Sequence, residues 1–154
     1  MVRKLLAAGF VLCLAACAGG QAEPPEPGDG EALVTLINER RAELSCPPVA
    51  ADPRLADAAA RHARDMLSDG VREHTGSDGS TAGQRIADSG FTAARTGEIL
   101  FWAQGTGDAR QAVAGWMDSP GHRAIISDCR YTHIGAVAMT AGSEYVAVAD
   151  FATP

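Results

Sequence analysis

In the first half of the chain, apolar residues recur every three or four positions, which is the spacing of a helix with one buried face. One such stretch runs from Glu31 to about Leu44. A second opens with Asp52 and Pro53, an N-cap residue and a proline at the first helical position, and stops at Gly70. Each stretch predicts an amphipathic helix. The residues at helical spacing are Leu33, Leu36, Ile37, Arg40 and Leu44 in the first stretch, and Leu55, Ala59, His62 and Met66 in the second.

Two shorter helices are predicted further along the chain. The segment from Thr81 to Ser89 lies between Ser80, which can cap a helix, and Gly90, which can end one. Asp108 can cap a fourth helix. The apolar face of that helix consists of Ala109, Ala112, Val113, Trp116 and Met117.

Ser119 and Pro120 then open a further turn or short helix that contains His122. As a helix cap, the Ser119 hydroxyl would be occupied by backbone amides. Ser119 also lacks the Gly-x-Ser-x-Gly elbow that exposes a nucleophilic serine. The sequence therefore provides little support for a serine nucleophile.

Three stretches have the pattern of β-strands. Glu98 to Trp102 is apolar and aromatic after its first residue, whereas His133 to Thr140 and Glu144 to Phe151 alternate. The two alternating runs flank Ala141-Gly142-Ser143 and predict a hairpin with a three-residue turn. Both faces of the last strand carry apolar residues: Tyr145, Ala147, Ala149 and Phe151 on one, Val146, Val148 and Asp150 on the other. The predicted fold class is α+β, a three-layer α-β-α sandwich with a small antiparallel sheet between helices.

The N-terminus has the pattern of a targeting segment. Arg3 and Lys4 precede an apolar run, Leu5 to Leu14, that is too short to span a bilayer. The run leads into Ala15-Ala16-Cys17, which looks like a bacterial lipobox with Cys17 as the lipidated first residue of the mature protein. The alternative is an ordinary cleavage site beside an incidental cysteine. The lipobox predicts a stable anchor, because its diacylglycerol supplies two acyl chains.

The chain thus divides into three predicted segments. Residues 1–16 are a lipoprotein signal peptide, residues 17–30 are the lipidated cysteine and a flexible tether, and residues 31–154 form one domain. The tether is rich in proline, glycine and acids and has no large apolar residue, so it cannot bury a core. This organisation predicts a secreted protein, anchored to a membrane on the extracytoplasmic face of a bacterial cell envelope.

The net charge and the lysine content each argue against one class of function. The formal net charge is −6, and it becomes more negative once Arg3 and Lys4 are removed with the signal peptide. A nucleic-acid partner is therefore not expected, since phosphate neutralisation needs a basic face. Lys4 is also the only lysine, so the mature protein has no lysine for Schiff-base or general-base chemistry.

Two cysteines remain once Cys13 leaves with the signal peptide and Cys17 carries lipid. These are Cys46 and Cys129, and an oxidising compartment predicts a disulfide between them. The alternative is two buried free thiols or half of a metal site, although neither cysteine has a CxxC partner.

Several motifs occur in an order that resembles the CAP superfamily of cysteine-rich secretory proteins, antigen 5 and plant pathogenesis-related proteins, in its bacterial form. They are Leu36-Ile37-Asn38 with Arg40 or Arg41, Asp52-x-x-Leu55 with Ala59, His62 and Asp65-Met66, His74 to Gly79, Gly97-Glu98, Trp116 to Arg123, and Ile134-Gly135. The ordered set covers nearly all of Glu31 to Phe151.

The resemblance implies a central cleft, which in the family usually holds two histidines and two glutamates. His74 and His122 match the histidines, and Glu98 matches the glutamate of the Gly-Glu-Asn signature. Ser119 stands at the fourth position, and Ile99 replaces the signature asparagine. The implied ligand-binding residues are therefore His74, Glu98, Ser119 and His122, and a paired-carboxylate mechanism lacks one partner.

Two imidazoles and a carboxylate suit zinc or another divalent cation, with water completing the shell. His74, His122 and Glu98 are the candidate ligands. The alternative is a polar network of the same three side chains that braces the loops around the sheet without a metal.

Two function classes follow from these residues. The first is a non-enzymatic binding module for a small apolar or lipid ligand, or for a protein partner, with or without a divalent cation in the cleft. The second is a metal-dependent hydrolase of cell-envelope peptide or glycan, with Glu98 as the base. The missing carboxylate and the absent nucleophile favour binding, so no catalytic residue is predicted.

Overall fold

The computed structural model describes residues 26–154, so the predicted signal peptide and Cys17 lie outside the described residues. None of the helices in the described part of the chain combines the length and apolar character needed to cross a membrane. The elements, in chain order, are β1 (Glu26–Gly28), α1 (Gly30–Glu43), β2 (Ala50–Ala51), α2 (Pro53–Ser68), α3 (Ala82–Asp88), β3 (Arg95–Gln104), α4 (Ala109–Asp118), α5 (Pro120–Ile126), β4 (His133–Ala141) and β5 (Glu144–Thr153).

The strands form one mixed sheet in the order β1-β4-β5-β3. These pairings are antiparallel, whereas β2 pairs in parallel with the start of β4. β1 adds the last residues of the segment predicted as a tether to the sheet, because their backbone pairs with β4. The hairpin turn between β4 and β5 has two residues rather than the predicted three, since Ala141 pairs directly with Glu144. Gly142 occupies the left-handed region that such a turn requires, with φ 58°.

The sheet is covered on both faces, and the predicted three-layer α-β-α arrangement is confirmed. On one face, Tyr145, Ala147, Ala149 and Phe151 pack in a core with residues of α1, α4 and α5. On the other face, Val146 and Val148 pack against α2. Gly135 allows the closest approach, because a Cβ there would lie 2.0 Å from the Ala56 nitrogen of α2.

The helix ends follow the predicted capping pattern with two exceptions. The Asp52 and Asp108 carboxylates accept from the backbone amides of α2 and α4, as predicted. Thr81, rather than Ser80, caps α3 through a capping box with Gln84. The Ser119 hydroxyl makes no capping bond to α5, so it is not occupied as the sequence suggested. Proline at the first position already removes one of the amides that a cap would satisfy.

Two further expectations differ from the structure, one at the first helix and one at the first of the predicted strands. Arg41, rather than Arg40, is fully buried; its guanidinium donates to the carbonyls of Pro47, Ile126, Asp128 and Tyr131. β3 is ten residues long and extends well beyond the predicted Glu98 to Trp102. Pairing with the whole of β5 explains this length, since the flanking polar residues are held by the ladder rather than by burial.

Cys46 and Cys129 form a disulfide, with Cα atoms 4.9 Å apart. The bridge joins the loop after α1 to the loop between α5 and β4. It closes a separation of 83 residues. The two thiols are therefore committed to a structural bond.

Candidate functional site

The predicted site begins with a direct contact between His74 and Glu98. His74 lies in the loop between α2 and α3, and Glu98 lies on β3 with its side chain on the face covered by α2. The His74 Nδ1 donates to Glu98 Oε1 over 2.7 Å. The His74 side chain is 57% exposed, whereas that of Glu98 is only 2% exposed. The imidazole therefore covers a buried carboxylate and presents its other edge to solvent.

Arg85 of α3 binds the second oxygen of the same carboxylate. Its guanidinium donates to Glu98 Oε2 over 2.6 Å, and both side chains are almost completely buried. The same guanidinium donates to the backbone carbonyls of His74 and Ser80 at 3.0 and 2.8 Å. Arg85 thereby fixes the loop that carries His74 as well as the carboxylate beneath it.

The protonation states of the pair follow from this geometry. Burial alone would raise the pKa of Glu98, but the hydrogen bond from His74 and the charge of Arg85 outweigh it, so the pKa lies below its usual value. The hydrogen bond to Glu98 also raises the pKa of His74 above the usual histidine value, against a smaller effect of burial. The contact is therefore an ion pair over a wider pH range than an isolated histidine would allow.

His122 and Ser119 come from the junction of α4 and α5. His122 is partly buried, and its pKa is lowered by burial and then by the positive charge of His74, so the two imidazoles lie within electrostatic reach of each other. Ser119 is half-buried, and its hydroxyl makes no capping hydrogen bond to α5. The structure thus joins His74 directly to Glu98, whereas the link between His74 and His122 is electrostatic.

A second carboxyl lies behind the site. Asp150 of β5 stands directly opposite Glu98 in the β3–β5 register and is fully buried. Neither of its oxygens has a hydrogen-bond partner among the described residues. Burial, followed by the charge of Glu98, raises the pKa of Asp150 well above the usual value. Asp150 is therefore held as a neutral acid beneath an ionised Glu98.

His62 is a core histidine, which agrees with its place at helical spacing with Leu55, Ala59 and Met66. It is fully buried on α2, and its Nε2 donates to the Glu73 carbonyl over 2.9 Å. Burial lowers the pKa of His62. The ring is therefore neutral, and its role is to fasten the loop between α2 and α3 to the helix.

Sequence reasoning missed Arg85, which binds Glu98, and Asp150, which lies buried opposite it. Asp150 carried a usable signal, because it is an acid on a strand face otherwise made of Val146 and Val148, in a sheet predicted to be covered on both sides. Arg85 carried none, since an arginine in a short helix is ordinarily solvated.

A cation could use only part of the predicted ligand set. Both oxygens of Glu98 are engaged by His74 and Arg85. Between residues 26 and 154, no group of three or more histidine, cysteine, aspartate or glutamate side chains is arranged to hold a metal ion. Glu98 therefore does not fit as a direct third ligand, and the available imidazole donors are the Nε2 of His74 and the ring of His122.

Two cavities lie away from these histidines. A cavity of about 750 Å³ lies between the first turns of α1 and α4 and is lined by several acids, among them Asp29, Glu31 and Asp108. A groove of about 560 Å³ lies between α1, α2 and β4, and its lining is mainly apolar. The apolar residues of this groove include Val34, Ala51, Pro53, Ala56, Ile134 and Ala136. The space suited to an apolar ligand is thus separate from the polar cleft.

Comparison with known proteins shows the same domain elsewhere. A model of the CAP family, described as the cysteine-rich secretory protein family, matches residues 34–151. The uncharacterized protein YkwD of Bacillus subtilis (strain 168) is 27% identical over 111 residues, which is 72% of this chain and 42% of that protein.

Solved structures share this fold. An extracellular protein containing an SCP domain from Bacillus anthracis str. Ames has a TM-score of 0.71 at 25% identity, covering 82% of this chain and 41% of that chain. An outer surface protein from Borrelia burgdorferi also has a TM-score of 0.71 at 25% identity, covering 80% of this chain and 90% of that chain. This chain therefore spans less than half the length of the two Bacillus proteins, and nearly the whole of the Borrelia chain.

Proposed function

Since the chain belongs to the CAP family of cysteine-rich secretory proteins, we propose that it is a non-enzymatic binding module, held at the outer face of a cell membrane by lipid on Cys17. Its target is a small apolar or lipid ligand. A secreted or surface location agrees with the extracellular and outer-surface proteins that share its fold. The lipobox pattern at Cys17 supports the anchor.

The two hydrogen bonds that the Glu98 carboxylate accepts are the observation that favours binding over catalysis. A general base must have a free oxygen within hydrogen-bond reach of the proton that it removes. Both Glu98 oxygens are already bound, at 2.7 Å by His74 and 2.6 Å by Arg85, and the side chain is 2% exposed. The metal-dependent hydrolase therefore loses the residue that would act as its base.

The groove between α1, α2 and β4 supports an apolar ligand. Its volume of about 560 Å³ lies within the range of small-molecule sites, and most of its lining is apolar. The backbone around it is tightly packed at Gly135, so the groove is built by the fold rather than by a mobile loop. Ala56, half-buried on α2, faces this space.

Binding of a fluorescent fatty acid, cis-parinaric acid, tests the groove. The Ala56→Phe variant fills the space and should weaken binding by at least about tenfold, which is ~1.4 kcal/mol. The Ala42→Phe variant makes the same substitution at an exposed position of α1 and should bind as the wild type does. Equal affinities for all three proteins would refute the groove as the ligand site.

A divalent cation such as zinc forms the second part of the proposal. Because Glu98 accepts from the Nδ1 of His74, the Nε2 of His74 faces outward without a proton when the ring is neutral. A carboxylate that orients a ligating histidine in this way is a common outer partner of zinc sites. His74 Nε2 and His122 would be the direct ligands, with water completing the shell.

Calorimetry with zinc on the metal-free protein tests this part. The double variant His74→Ala and His122→Ala should lose binding, and Glu98→Gln should weaken it about 10-fold to 100-fold. His133→Ala, at the start of β4, should retain the wild-type affinity. Binding by the double variant would place the ion elsewhere, and no binding by the wild type would leave the polar network as the role of these residues.

The anchor is tested independently of both ligands. Replacing Cys17 with alanine should release the protein from membranes, or block its processing, while the domain remains folded. Unchanged membrane retention together with unchanged processing of the precursor would contradict the lipid anchor.

A further inference from the structure

Two short segments without charged side chains adjoin each other at one end of the sheet. At the end where β4 turns into β5, the segments 104–107 and 140–143 contain only Gln, Gly, Thr, Ala and Ser. The Gly105 amide donates to the Ser143 carbonyl over 2.7 Å, so the two segments adjoin each other. At the opposite end, Asp128 forms ion pairs with Arg95 and Arg130 at 3.8 and 2.8 Å. The eight residues of segments 104–107 and 140–143 carry no charge, although Asp108 and Glu144 follow the two segments directly.

Trp102 lies beside these two segments. It is 46% exposed and is the only exposed large apolar side chain among the described residues. It is two residues before Gln104, on the face of β3 that α2 covers further along. Trp102, segment 104–107 and segment 140–143 are together called the hairpin end below.

Arg72 braces the Trp102 ring. The guanidinium centre lies 5.8 Å from the ring centroid, within the range of a cation–π contact. The same guanidinium donates to the carbonyls of Met66 and Val71 and to the Glu144 carboxylate. The charge of Arg72 is therefore paired with that of Glu144, and the guanidinium helps to hold the exposed Trp102 ring in place.

The start of the described chain lies at the same end of the sheet. β1 is antiparallel to β4, and Glu26 pairs with Thr140 while Gly28 pairs with Ala138. Glu26, the first described residue, therefore lies beside segment 140–143. Nine residues, Cys17 to Pro25, separate the lipid attachment from β1.

This linker limits how far the hairpin end can be from the lipid. Nine residues span at most about 30 Å when extended, and about 15 to 18 Å on average if they behave as a flexible chain. The ten residues of β3 are about as long as the extended linker, at roughly 3.3 Å per residue. A lipid on Cys17 would therefore keep the hairpin end within about 30 Å of the bilayer, whereas the opposite end of β3 can lie further away.

We propose that the hairpin end lies against the membrane to which the chain is anchored, with the Trp102 ring in the lipid interface. Tryptophan favours that region because its large ring is apolar while its N–H can reach a polar partner. The contact needs no anionic lipid, because the chain is acidic overall and Arg72 is already paired. This inference rests on the lipid anchor proposed for Cys17.

Tryptophan fluorescence of the purified lipidated protein in phosphatidylcholine vesicles tests the orientation. Trp116 is fully buried, so quenching by brominated acyl chains reports on Trp102. Contact with the vesicle should shift the emission of Trp102 to shorter wavelength. Brominated acyl chains should then lower the emission of the wild type. The Trp102→Phe variant should show neither change, because Trp116 cannot reach the lipid.

A second variant places the reporter at the other end of the same strand. Ala94 is exposed just before β3 begins, and Ala94→Trp in the Trp102→Phe background should not be quenched. Quenching at position 94 but not at 102, or at neither position, overturns the orientation while the anchor stands. An intact mass without the diacylglyceryl group, in a protein that does not bind vesicles, overturns the anchor and this inference with it.

Discussion

Glu98 and Asp150 lie directly opposite each other on β3 and β5, so two carboxyl groups share one buried position of the sheet. Only Glu98 has partners, because His74 and Arg85 bind its two oxygens. Two negative charges on neighbouring buried side chains would repel each other strongly. Burial alone already favours the neutral acid. The pair therefore carries one negative charge, on Glu98, and the Asp150 acid contributes none.

The neutral state of Asp150 predicts an unusual result for Asp150→Asn. A carboxyl whose pKa is raised on folding costs stability as the pH rises above its unfolded pKa, because the folded state binds more protons. Asparagine keeps the shape and removes that cost, so the free energy of unfolding near pH 8 should equal or exceed that of the wild type. Urea unfolding at about pH 5 and about pH 8 measures both values. A loss of ~3 kcal/mol or more near pH 8 would show that Asp150 is ionised and paired.

Arg85 is predicted to dominate the stability of the site. Arg85→Met leaves the Glu98 carboxylate buried without its cation and should lower the free energy of unfolding by ~3 to 5 kcal/mol. Adding Glu98→Gln to the same protein should recover much of that loss, since the charge is then gone. Arg40→Ala removes an exposed pair with Glu43 and should change stability by less than ~1 kcal/mol. Equal losses for Arg85→Met and Arg40→Ala would contradict the buried pair.

The histidines are predicted to titrate in a fixed order. The pKa of His74 lies above the usual histidine value because of Glu98, whereas burial lowers those of His62 and His122. The stability due to the His74–Glu98 pair is present below the usual histidine pKa and is lost as the pH rises through the raised value. His62 has the opposite sign, because protonation of the buried ring at acid pH favours unfolding. NMR titration of the imidazoles without metal gives the order.

A matched variant identifies the cause of the His74 shift. Glu98→Gln removes the negative charge beside the ring and should bring the pKa of His74 down. A His74 that titrates below His122 in the wild type, or that does not respond to Glu98→Gln, would contradict the contact.

The Cys46–Cys129 disulfide is predicted to be a major source of stability. Closing a loop of 83 residues stabilises by about 4 to 5 kcal/mol in the chain-entropy model, which is an upper value for real proteins. The double variant Cys46→Ser and Cys129→Ser should unfold at a lower temperature. Intact mass after alkylation without reductant should show no modified thiol in the described domain. Two alkylated cysteines in the native protein would rule out the bridge.

The regular elements could be predicted because local chemistry decides them. Asp52 with Pro53 and the alternation from Glu144 onward each specify an element through capping and periodicity, and the structure has both. The predicted hairpin turn was one residue too long, since the pairing of Ala141 with Glu144 depends on register rather than composition.

The candidate site could be predicted only in part. His74 and Glu98 were found through the family motifs. The two residues are 24 positions apart in sequence, so no periodic pattern could have predicted their contact. Arg85 and Asp150 act through burial and through cross-strand pairing, which arise only when the layers assemble. The burial of Arg41 was not predicted for the same reason, because its carbonyl partners lie up to 90 residues away in sequence.

The most direct test of the binding function is a mass-spectrometric inventory of the lipids and metals that copurify with the native protein. The account predicts a stoichiometric apolar molecule in the wild type and in Ala42→Phe, and its loss in Ala56→Phe, with any zinc lost in the His74→Ala and His122→Ala double variant. A wild-type protein that carries no apolar molecule and hydrolyses envelope peptide or glycan, with Glu98→Gln inactive, would contradict the account and establish the hydrolase instead.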